Sequence, residues 1–249
     1  MIALGVAILL LAAGPAERGL EIARAADTAD TGFGMEQTTA TMTIQRSGGR
    51  TETRVFRLTT TDGSQGSERS LVELLKPARH KGMRVLTVTA SDGGEAVFLR
   101  LPHHRRTRRI VGRKRTGRFL GSELTFEDLG SRRHDRYTHR WLRDEPVRGA
   151  ECHVVETTPR DPDTGYSRIV LWRDVRTYQL MRVAWFGPDG VAVKTGDFTD
   201  WQKTTRFHRA NRYTIVNATT GQTTTVVFSG RTHDVSLDSS ALTRQGLER

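Results

Sequence analysis

The sequence is poor in cysteine and in hydrophobic residues, and both shortages limit the structure. Cys152 is the single cysteine among 249 residues, so no intramolecular disulfide can form and no disulfide framework indicates a redox compartment. We expect this thiol to be buried and unreactive on a strand. Hydrophobic residues make up 36% of the chain. That fraction is low for this length and predicts a thin core or a sheet with one face in water.

Acidic residues are absent from His103 to Arg118, where basic residues are dense. The net charge of +11 and the pI near 10.7 favour acidic partners, either nucleic acid or an anionic membrane surface. A strand from Thr107 to Val111 would carry arginine on both faces, so we expect it at a sheet edge. The predicted docking residues are Arg105, Arg106, Arg108, Arg109, Arg113, Lys114 and Arg115. A solvated rim is one alternative; a nucleic-acid site is another, although the aromatic residues of single-strand platforms are missing.

The amino terminus is predicted to be a secretory signal peptide. Met1 to Ala13 is apolar, and the small residues Gly14 to Ala16 precede Glu17. Such a stretch is too short to span a bilayer as a mature helix and is typical of Sec export. We expect cleavage near Ala16, so that residues 1–16 are the signal peptide and residues 17–249 a single domain in the periplasm or cell envelope. An amino-terminal lipid anchor is not expected, because no cysteine lies at the cleavage site.

Strand-like segments recur at short spacing from Thr39 to Phe228. Turn signals such as Ser47-Gly48-Gly49 and Pro188-Asp189-Gly190 separate them. An amphipathic helical pattern from Glu17 to Thr28 precedes them. Successive antiparallel strands with few helices predict a mainly β fold, a meandering sheet that curls on itself. No linker rich in proline or serine interrupts it.

Two adjacent motifs resemble the outer-membrane lipoprotein-sorting protein family, relatives of the periplasmic carrier LolA. They are LxLPxxRRxRRI from Leu99 to Ile110 and FxGSxxTFEDL from Phe119 to Leu129. LLKPARHKG at Leu74 to Gly82 and YSRIVLWRDVRTYQLMRV at Tyr166 to Val183 extend the resemblance, which spans Met35 to Leu242. It implies an unclosed half barrel like LolA and LolB, whose hollow, lidded by helices, holds acyl chains. The implied partners are acyl chains of lipids or lipoproteins, and an anionic membrane surface or an inner-membrane lipid transporter.

Period-two alternation places apolar side chains of several strands on one side, which could form a concave face. A helix capped by Thr125, with Glu127 and Asp128 in its first turn, would contribute to a lid. Under the resemblance, the predicted acyl-binding residues are Phe56, Leu58, Leu74, Leu86, Val88, Val97, Leu99, Phe119, Leu120, Phe126, Leu129, Trp172 and Trp185. The alternative is an ordinary filled core, because alternation does not distinguish a core from a cavity.

Catalysis and metal binding have little support in the sequence. Ser122 lacks the second glycine of a GxSxG elbow. Glu127 and Asp128 are neighbours that would not face each other on a helix, and His103 and His104 lack further ligands at metal-site spacing. We expect a monomeric, non-enzymatic carrier of acyl chains with no cofactor, metal or nucleic-acid partner. The alternative is an envelope interaction protein with a filled core that docks acidic partners through its basic residues.

Overall fold

The computed structural model describes residues 13–62, 67–102, 106–204, 207–233, 235 and 239–248. The chain begins there with helix α1 (Pro15–Ala29), which confirms the helix predicted from Glu17 to Thr28. The strands are β1 (Met35–Gln45), β2 (Thr51–Asp62), β3 (Glu68–Lys76), β4 (Arg84–Thr89), β5 (Glu95–Arg100), β6 (Arg108–Ile110), β7 (Tyr137–Val147), β8 (Ala150–Pro159), β9 (Arg168–Asp174), β10 (Leu180–Phe186), β11 (Ala192–Lys203), β12 (His208–Asn217) and β13 (Thr223–His233). Most of the predicted signal peptide, residues 1–12, lies outside the described residues, so its boundary stays a prediction.

The thirteen strands form one antiparallel sheet in the order β6-β5-β4-β3-β2-β1-β13-β12-β11-β10-β9-β8-β7. β6 and β7 are its two edges, and the sheet is not closed into a barrel. This confirms the predicted mainly β, unclosed half barrel. The arginine-rich strand β6 is an edge strand, as the charge pattern predicts, because arginine on both faces is tolerated only where water reaches the strand.

One side of the sheet carries the main core, and we call it the inner face. Every second residue of β1 from Glu36 to Ile44 is buried. Opposed residues of paired strands project to the same side, and Ala40 opposes Phe56 on β2, which in turn opposes Leu74 on β3. The buried apolar members of this inner cluster are Ala40, Met42, Ile44, Phe56, Val72, Leu74, Met83, Val85, Val97, Phe119, Leu124, Tyr166, Ile169, Leu171, Val183, Trp185, Tyr213, Ile215 and Val226.

A second, smaller cluster lies on the other side of β3, β4 and β5, which we call the outer face. Leu242 and Leu247, from two short 3-10 turns near the carboxyl terminus, pack against Leu86 there. Partly buried Met35, Leu71, Val88 and Phe98 surround these three leucines. This part of the sheet is therefore covered on both faces.

Residues 111–136 join the edge strand β6 to the edge strand β7, and we call this segment the lid. It consists of irregular chain with short 3-10 turns at Gly112–Thr116, Phe119–Gly121, Glu127–Leu129 and His134–Arg136. Phe119 of the lid is 1% exposed. Its ring meets Phe56 of β2 and Phe126 of the lid edge to face, with centroids 6.5 and 5.8 Å apart. The lid thus inserts aromatic side chains into the inner cluster.

The prediction of a helix after Thr125 is wrong, because the chain forms only one 3-10 turn there, Glu127–Leu129. The Asp128 carboxylate accepts hydrogen bonds from the Thr125 N–H and hydroxyl, 2.7 and 2.9 Å, and the Asp128 N–H donates back to the Thr125 hydroxyl, 3.2 Å. Gly130 follows with extended backbone and ends the turn. Thr125 and Asp128 thus form the hydrogen bonds expected at the start of a helix, but the helical segment that follows has only three residues.

Helix α1 packs on the edge strand β7. A Cβ on Gly19 would lie 2.7 Å from the backbone nitrogen of Trp141, so only glycine allows this close approach. Arg18 adds an ion pair to Asp144, 3.0 Å, and its guanidinium lies 3.9 Å from the centre of the Trp141 ring. In the described part of the chain, no helix has the length and apolar character needed to cross a membrane.

The outer cluster predicts a test of the carboxyl-terminal segment. Leu247 is fully buried, so Leu247→Ala should lower the free energy of unfolding by about 2–5 kcal/mol through lost transfer energy and a residual cavity. Val191→Ala, at a side chain 61% exposed, is the control and should change it by less than about 0.5 kcal/mol. Urea unfolding measures both. Equal effects would show that the segment is not part of the folded core.

Candidate acyl-binding face and lid

Most of the predicted acyl-binding residues lie together on the inner face. Phe56, Leu74, Val97, Phe119 and Trp185 are buried members of the inner cluster, and Leu58, Leu99, Leu120, Phe126 and Leu129 are partly buried against it. They come from β2, β3, β5, β10 and the lid, so the fold joins residues far apart in sequence. The structure places them on one apolar surface.

The placement of Leu86 and Val88 on this side is wrong. Both belong to the outer cluster, and Leu86 opposes Phe98 of β5, not Val97 or Leu99. Leu86 follows Val85, which is buried on the inner face. Because β4 is covered on both faces, consecutive residues are apolar and alternation alone could not choose the side.

The prediction that Trp172 lies on the inner face is also wrong. Ile169 and Leu171 of β9 belong to the inner cluster, so Trp172 projects to the other side. Its indole N–H donates a hydrogen bond to Glu145 of β7. The run from Ile169 to Trp172 is apolar throughout, and only the register with Val183 of β10 fixes which residues turn inward.

The inner face is filled by its own side chains. Met42, Ile44, Leu74 and Trp185 are each less than 2% exposed. A cavity between α1 and β7–β9 has a volume of about 10 Å³, roughly enough for one water. Small-molecule pockets usually measure about 300–1,000 Å³. An acyl chain would therefore need the lid or α1 to move before it could reach this face.

A buried ion pair holds the lid against the sheet. Nζ of Lys194 on β11 lies 2.5 Å from the Asp128 carboxylate, and the two side chains are 5% and 1% exposed. The same ammonium lies 4.7 Å from the Trp185 ring centre and 5.2 Å from that of Tyr166. The Tyr166 hydroxyl donates to Asp128, 3.1 Å, and burial together with this carboxylate raises the pKa of Tyr166. Asp128 therefore links the lid to the inner face.

Glu123 of the lid forms a second attachment, to β12 and β13. Its buried carboxylate accepts hydrogen bonds from the side-chain amides of Gln222, 2.6 Å, and Asn217, 2.7 Å. The Glu123 carbonyl also accepts a hydrogen bond from the Lys194 ammonium, 2.8 Å. The lid is thus joined to β11, β12 and β13 by groups that lie within six residues of each other in the lid.

Glu95 of β5 anchors both ends of the lid. Its side chain is 1% exposed and forms ion pairs with Arg115 and, at 2.6 Å, with Arg136. It also accepts a hydrogen bond from the Ser131 N–H, 3.0 Å. This buried acid therefore holds two lid arginines, of which Arg136 has no other carboxylate partner in the described part of the chain.

Glu127, weighed as a catalytic acid, has a structural role on the lid. Its carboxylate accepts hydrogen bonds from the Gly165 N–H, 3.0 Å, and the Thr164 hydroxyl in the β8–β9 connection. Burial raises the pKa of Glu127, and these hydrogen bonds lower it in part. Glu127 and Asp128 thus bind different partners and do not flank a common site.

The predicted docking residues divide into two groups. Arg115 is paired with Glu95 and Asp161 and is 12% exposed, so it stabilises the lid instead of forming a free basic surface. Arg105 lies outside the described residues. The other predicted residues, Arg106, Arg108, Arg109, Arg113 and Lys114, are exposed on and beside the edge strand β6. Val111, 51% exposed, lies among them.

The β3–β4 connection adds basic residues that the docking prediction missed. Lys76, Arg79 and Lys81 are exposed there. This connection approaches the end of β5, since a Cβ on Gly82 would lie 3.8 Å from the Cβ of Pro102. We call these three residues, together with Arg106, Arg108, Arg109, Arg113 and Lys114, the basic rim. The motif LLKPARHKG contains these basic residues, but only the hairpin arrangement brings it beside Pro102, after the end of β5.

Ser122 and Cys152, two side chains that could act as nucleophiles, are buried. The Ser122 hydroxyl is fully buried and donates to the Phe119 carbonyl, 2.6 Å. Burial raises the pKa of the Cys152 thiol to about 11, which disfavours the reactive thiolate. Within the described residues, no group of three or more His, Cys, Asp or Glu is arranged to hold a metal ion.

Solved structures share both this fold and part of this sequence. A domain from Vibrio parahaemolyticus, described as that of an outer membrane lipoprotein-sorting protein, matches with a TM-score of 0.90 and 28% identity; the match covers 94% of this chain and 100% of that one. A DUF1329 family protein from Desulfovibrio piger matches with a TM-score of 0.88 and 26% identity, again over 94% and 100% of the two chains. The fold and part of the sequence thus confirm the resemblance to the outer-membrane lipoprotein-sorting protein family.

Two further comparisons concern the fold and the sequence family. The LolA superfamily protein NE2245 from Nitrosomonas europaea shares the fold, with a TM-score of 0.72 and 17% identity over 92% of this chain and 98% of that one. The profile of a protein family described as "uncharacterized protein" matches residues 66–249, so the chain belongs to that family as well. No curated protein sequence matches the chain. The structural matches to the lipoprotein-sorting domain and to the LolA superfamily protein thus include both the sheet and its lid.

The buried lid ion pair predicts a specific loss of stability. Lys194→Met leaves the Asp128 carboxylate buried without its cation and should lower the free energy of unfolding by about 3–5 kcal/mol. Lys203→Met, an exposed position on the same strand, is the matched control and should have little effect. Adding Asp128→Asn to Lys194→Met should recover part of the loss. Similar losses for Lys194→Met and Lys203→Met in urea unfolding would contradict the role of this pair.

Proposed function

We propose that the protein is a non-enzymatic carrier in the cell envelope that binds acyl chains of a lipid or lipoprotein on its inner face. The single observation that carries this proposal is an apolar inner face covered by one connection between two edge strands, the lid. Movement of this connection would not break the pairing of the sheet. Similarity to an outer membrane lipoprotein-sorting domain supports the same function. Export by the amino-terminal signal peptide, residues 1–16, belongs to this proposal.

Transfer energies explain why such a carrier needs a lid. An acyl chain of about sixteen carbons costs on the order of 12 kcal/mol to expose to water, at ~0.8 kcal/mol per CH₂. Phe119, Leu120, Phe126 and Leu129 now cover the inner face, so the chain would replace lid contacts with contacts of similar energy. Binding and release then depend on the position of the lid.

A second candidate function is favoured by the filled interior. If the lid never leaves the inner face, the protein is an envelope interaction protein whose basic rim docks an acidic partner. Lipid analysis separates the two functions. An organic extract of protein purified from its own envelope should contain acyl lipid for a carrier, and delipidated protein should bind fatty acid again.

Lid variants test the carrier mechanism. Phe126→Ala removes an edge-to-face contact with Phe119 and should favour the open lid. Because apparent affinity rises with the fraction of protein in the binding-competent state, this variant should bind a fluorescent fatty acid several-fold more tightly. Trp172→Ala, on the side away from the inner cluster, is the aromatic control and should leave affinity unchanged. Absence of binding in the parent and in Phe126→Ala would exclude the carrier function.

The basic rim is proposed to dock an anionic membrane surface, where clustered Lys and Arg are attracted to lipid head groups. Arg106→Gln, Arg108→Gln and Arg109→Gln together should weaken binding to vesicles containing phosphatidylglycerol by at least about tenfold. Added salt should weaken binding by the parent, since exposed charges are screened within ~10 Å at about 0.1 M salt.

A control variant with equal charge loss tests whether position matters. Arg24→Gln, Arg148→Gln and Arg176→Gln remove three exposed cations from α1 and from the β7–β8 and β9–β10 turns. This variant should retain most of the vesicle binding. If both variants lose affinity equally, net charge and not the basic rim governs the contact.

A further inference from the structure

Two arginines line the small cavity beneath α1. Ile22 of α1 and Leu171 of β9 form part of its apolar wall. Arg132 of the lid, Arg173 of β9 and His139 of β7 line it as well. The two guanidinium groups in this mainly apolar pocket need acceptors for their hydrogen bonds.

The two arginines have no carboxylate partner among the described residues. One Arg173 Nη donates to the carbonyl of Tyr178, 3.0 Å, and the Arg132 guanidinium lies 6.0 Å from the Trp185 ring centre. Burial lowers the pKa of Arg173 to about 10, the charge of Asp27 raises it in part, and the charge of Arg132 lowers it further. Arg173 is therefore still a cation at neutral pH, and it lies close enough to Arg132 for the two charges to repel.

The nearby acids are occupied by other partners. Asp27 of α1, which also lines the cavity, accepts hydrogen bonds from the His134 ring, 2.6 Å, and the His134 N–H, 2.9 Å. Asp30 is paired with Arg209 at the start of β12. Neither carboxylate forms an ion pair with Arg132 or Arg173 within 4.0 Å, although the charges of both raise the pKa of Arg173 in part.

A third group in the cavity is also unsatisfied. Nδ1 of His139 is buried without a hydrogen-bond partner in the described part of the chain, while its Nε2 lies 2.8 Å from the His134 carbonyl. Buried charged groups are nearly always paired, so two arginines without a carboxylate partner in the described part of the chain favour an anionic ligand. A partner with negative charge and several acceptor oxygens would satisfy both guanidinium groups. Nε2 of His139 donates to the His134 carbonyl, so Nδ1 of the neutral ring is an acceptor and would need a donor instead.

We propose that this cavity is the head-group subsite of the carrier, in which Arg132 and Arg173 bind the carboxylate or phosphate of an anionic amphiphile. Because its volume of about 10 Å³ holds only about one water, the head group enters when the lid or α1 moves. The subsite rests on the proposed carrier function. Ile169 and Leu171 line the cavity and also belong to the inner cluster, so an amphiphile with its head there would extend its chain onto the inner face. The cargo would then be an anionic lipid and not a neutral one.

Paired probes test the subsite. Binding of a long-chain fluorescent fatty acid is compared with binding of its methyl ester, which has the same chain and no charge. The parent should prefer the acid by about tenfold or more, as expected for a charge-assisted contact. Arg132→Gln with Arg173→Gln should remove this preference by weakening the acid alone. Arg176→Gln, which removes an exposed arginine from the adjacent β9–β10 turn, should preserve it.

Two further measurements separate the possible sources of the anion and guard against misfolding. Arg132→Lys with Arg173→Lys keeps both charges and should retain a measurable preference for the acid. This variant supplies the test if the glutamine variant folds poorly. Inorganic phosphate should compete weakly with the acid and not with the ester. Competition by phosphate in a parent without preference for the acid would assign the site to a free anion and overturn the head-group subsite.

The outcomes distinguish the subsite from the carrier function. Equal affinity of the parent for acid and ester, without competition by phosphate, overturns the subsite and leaves the carrier function intact. Failure of the parent to bind either probe overturns both. A preference for the acid that survives Arg132→Gln with Arg173→Gln shows that the anion binds elsewhere and also overturns this assignment.

Discussion

An unclosed sheet with an apolar inner face must be covered, and this constraint organises the rest of the molecule. The edge strands β6 and β7 do not close the barrel, so water would reach the inner cluster through the gap between them. Residues 111–136 and α1 supply the cover. The lid contributes Phe119, Leu120, Phe126 and Leu129 to the inner cluster, and burial of such side chains contributes about 1.5–3 kcal/mol each when complete.

The lid is attached by charge as well as by apolar contact. Glu95, Glu123 and Asp128 are buried carboxylates with partners across the interface between lid and sheet. A buried ion pair adds little net stability compared with apolar packing, but its loss is costly because one charge stays unpaired. Such pairs therefore define a single closed position. They also make an open position of the lid possible, because the same charges would be hydrated once the lid moves away from the sheet.

The distribution of acids explains where the positive surplus lies. Glu95 and Asp161 form ion pairs with Arg115, which is only 12% exposed. Arg108 and Arg109 of β6 form no ion pair within the described part of the chain and remain exposed, as do Lys76, Arg79 and Lys81. The basic residues between Arg106 and Arg115 thus have two roles: Arg115 attaches the lid, and the others give the surface its positive charge. Arg132 and Arg173 form a third group, cationic and enclosed.

The sequence by itself determined the curled antiparallel sheet, the edge position of β6 and the apolar lid residues. These features follow from patterns of neighbouring residues: alternation along β1, charge on both faces of β6 and the motif from Phe119 to Leu129. Such patterns can be read without knowing which distant segments pack together. Alternation failed at Leu86 and Trp172. Carboxyl-terminal leucines cover Leu86, and Trp172 sits in an unbroken apolar run, so neither strand shows which side faces inward.

Only the tertiary structure decided the roles of the ionisable residues. Lys194 appears in the sequence as an ordinary polar residue of β11, yet its register opposite Trp185 turns it inward toward Asp128. Asp128 shows a capping pattern and caps a turn, but its ion pair joins segments separated by 66 positions. Arg132 and Arg173 likewise meet only because the lid returns to the end of β9. Pairing of charges depends on distances across the fold, and one-dimensional patterns do not contain those distances.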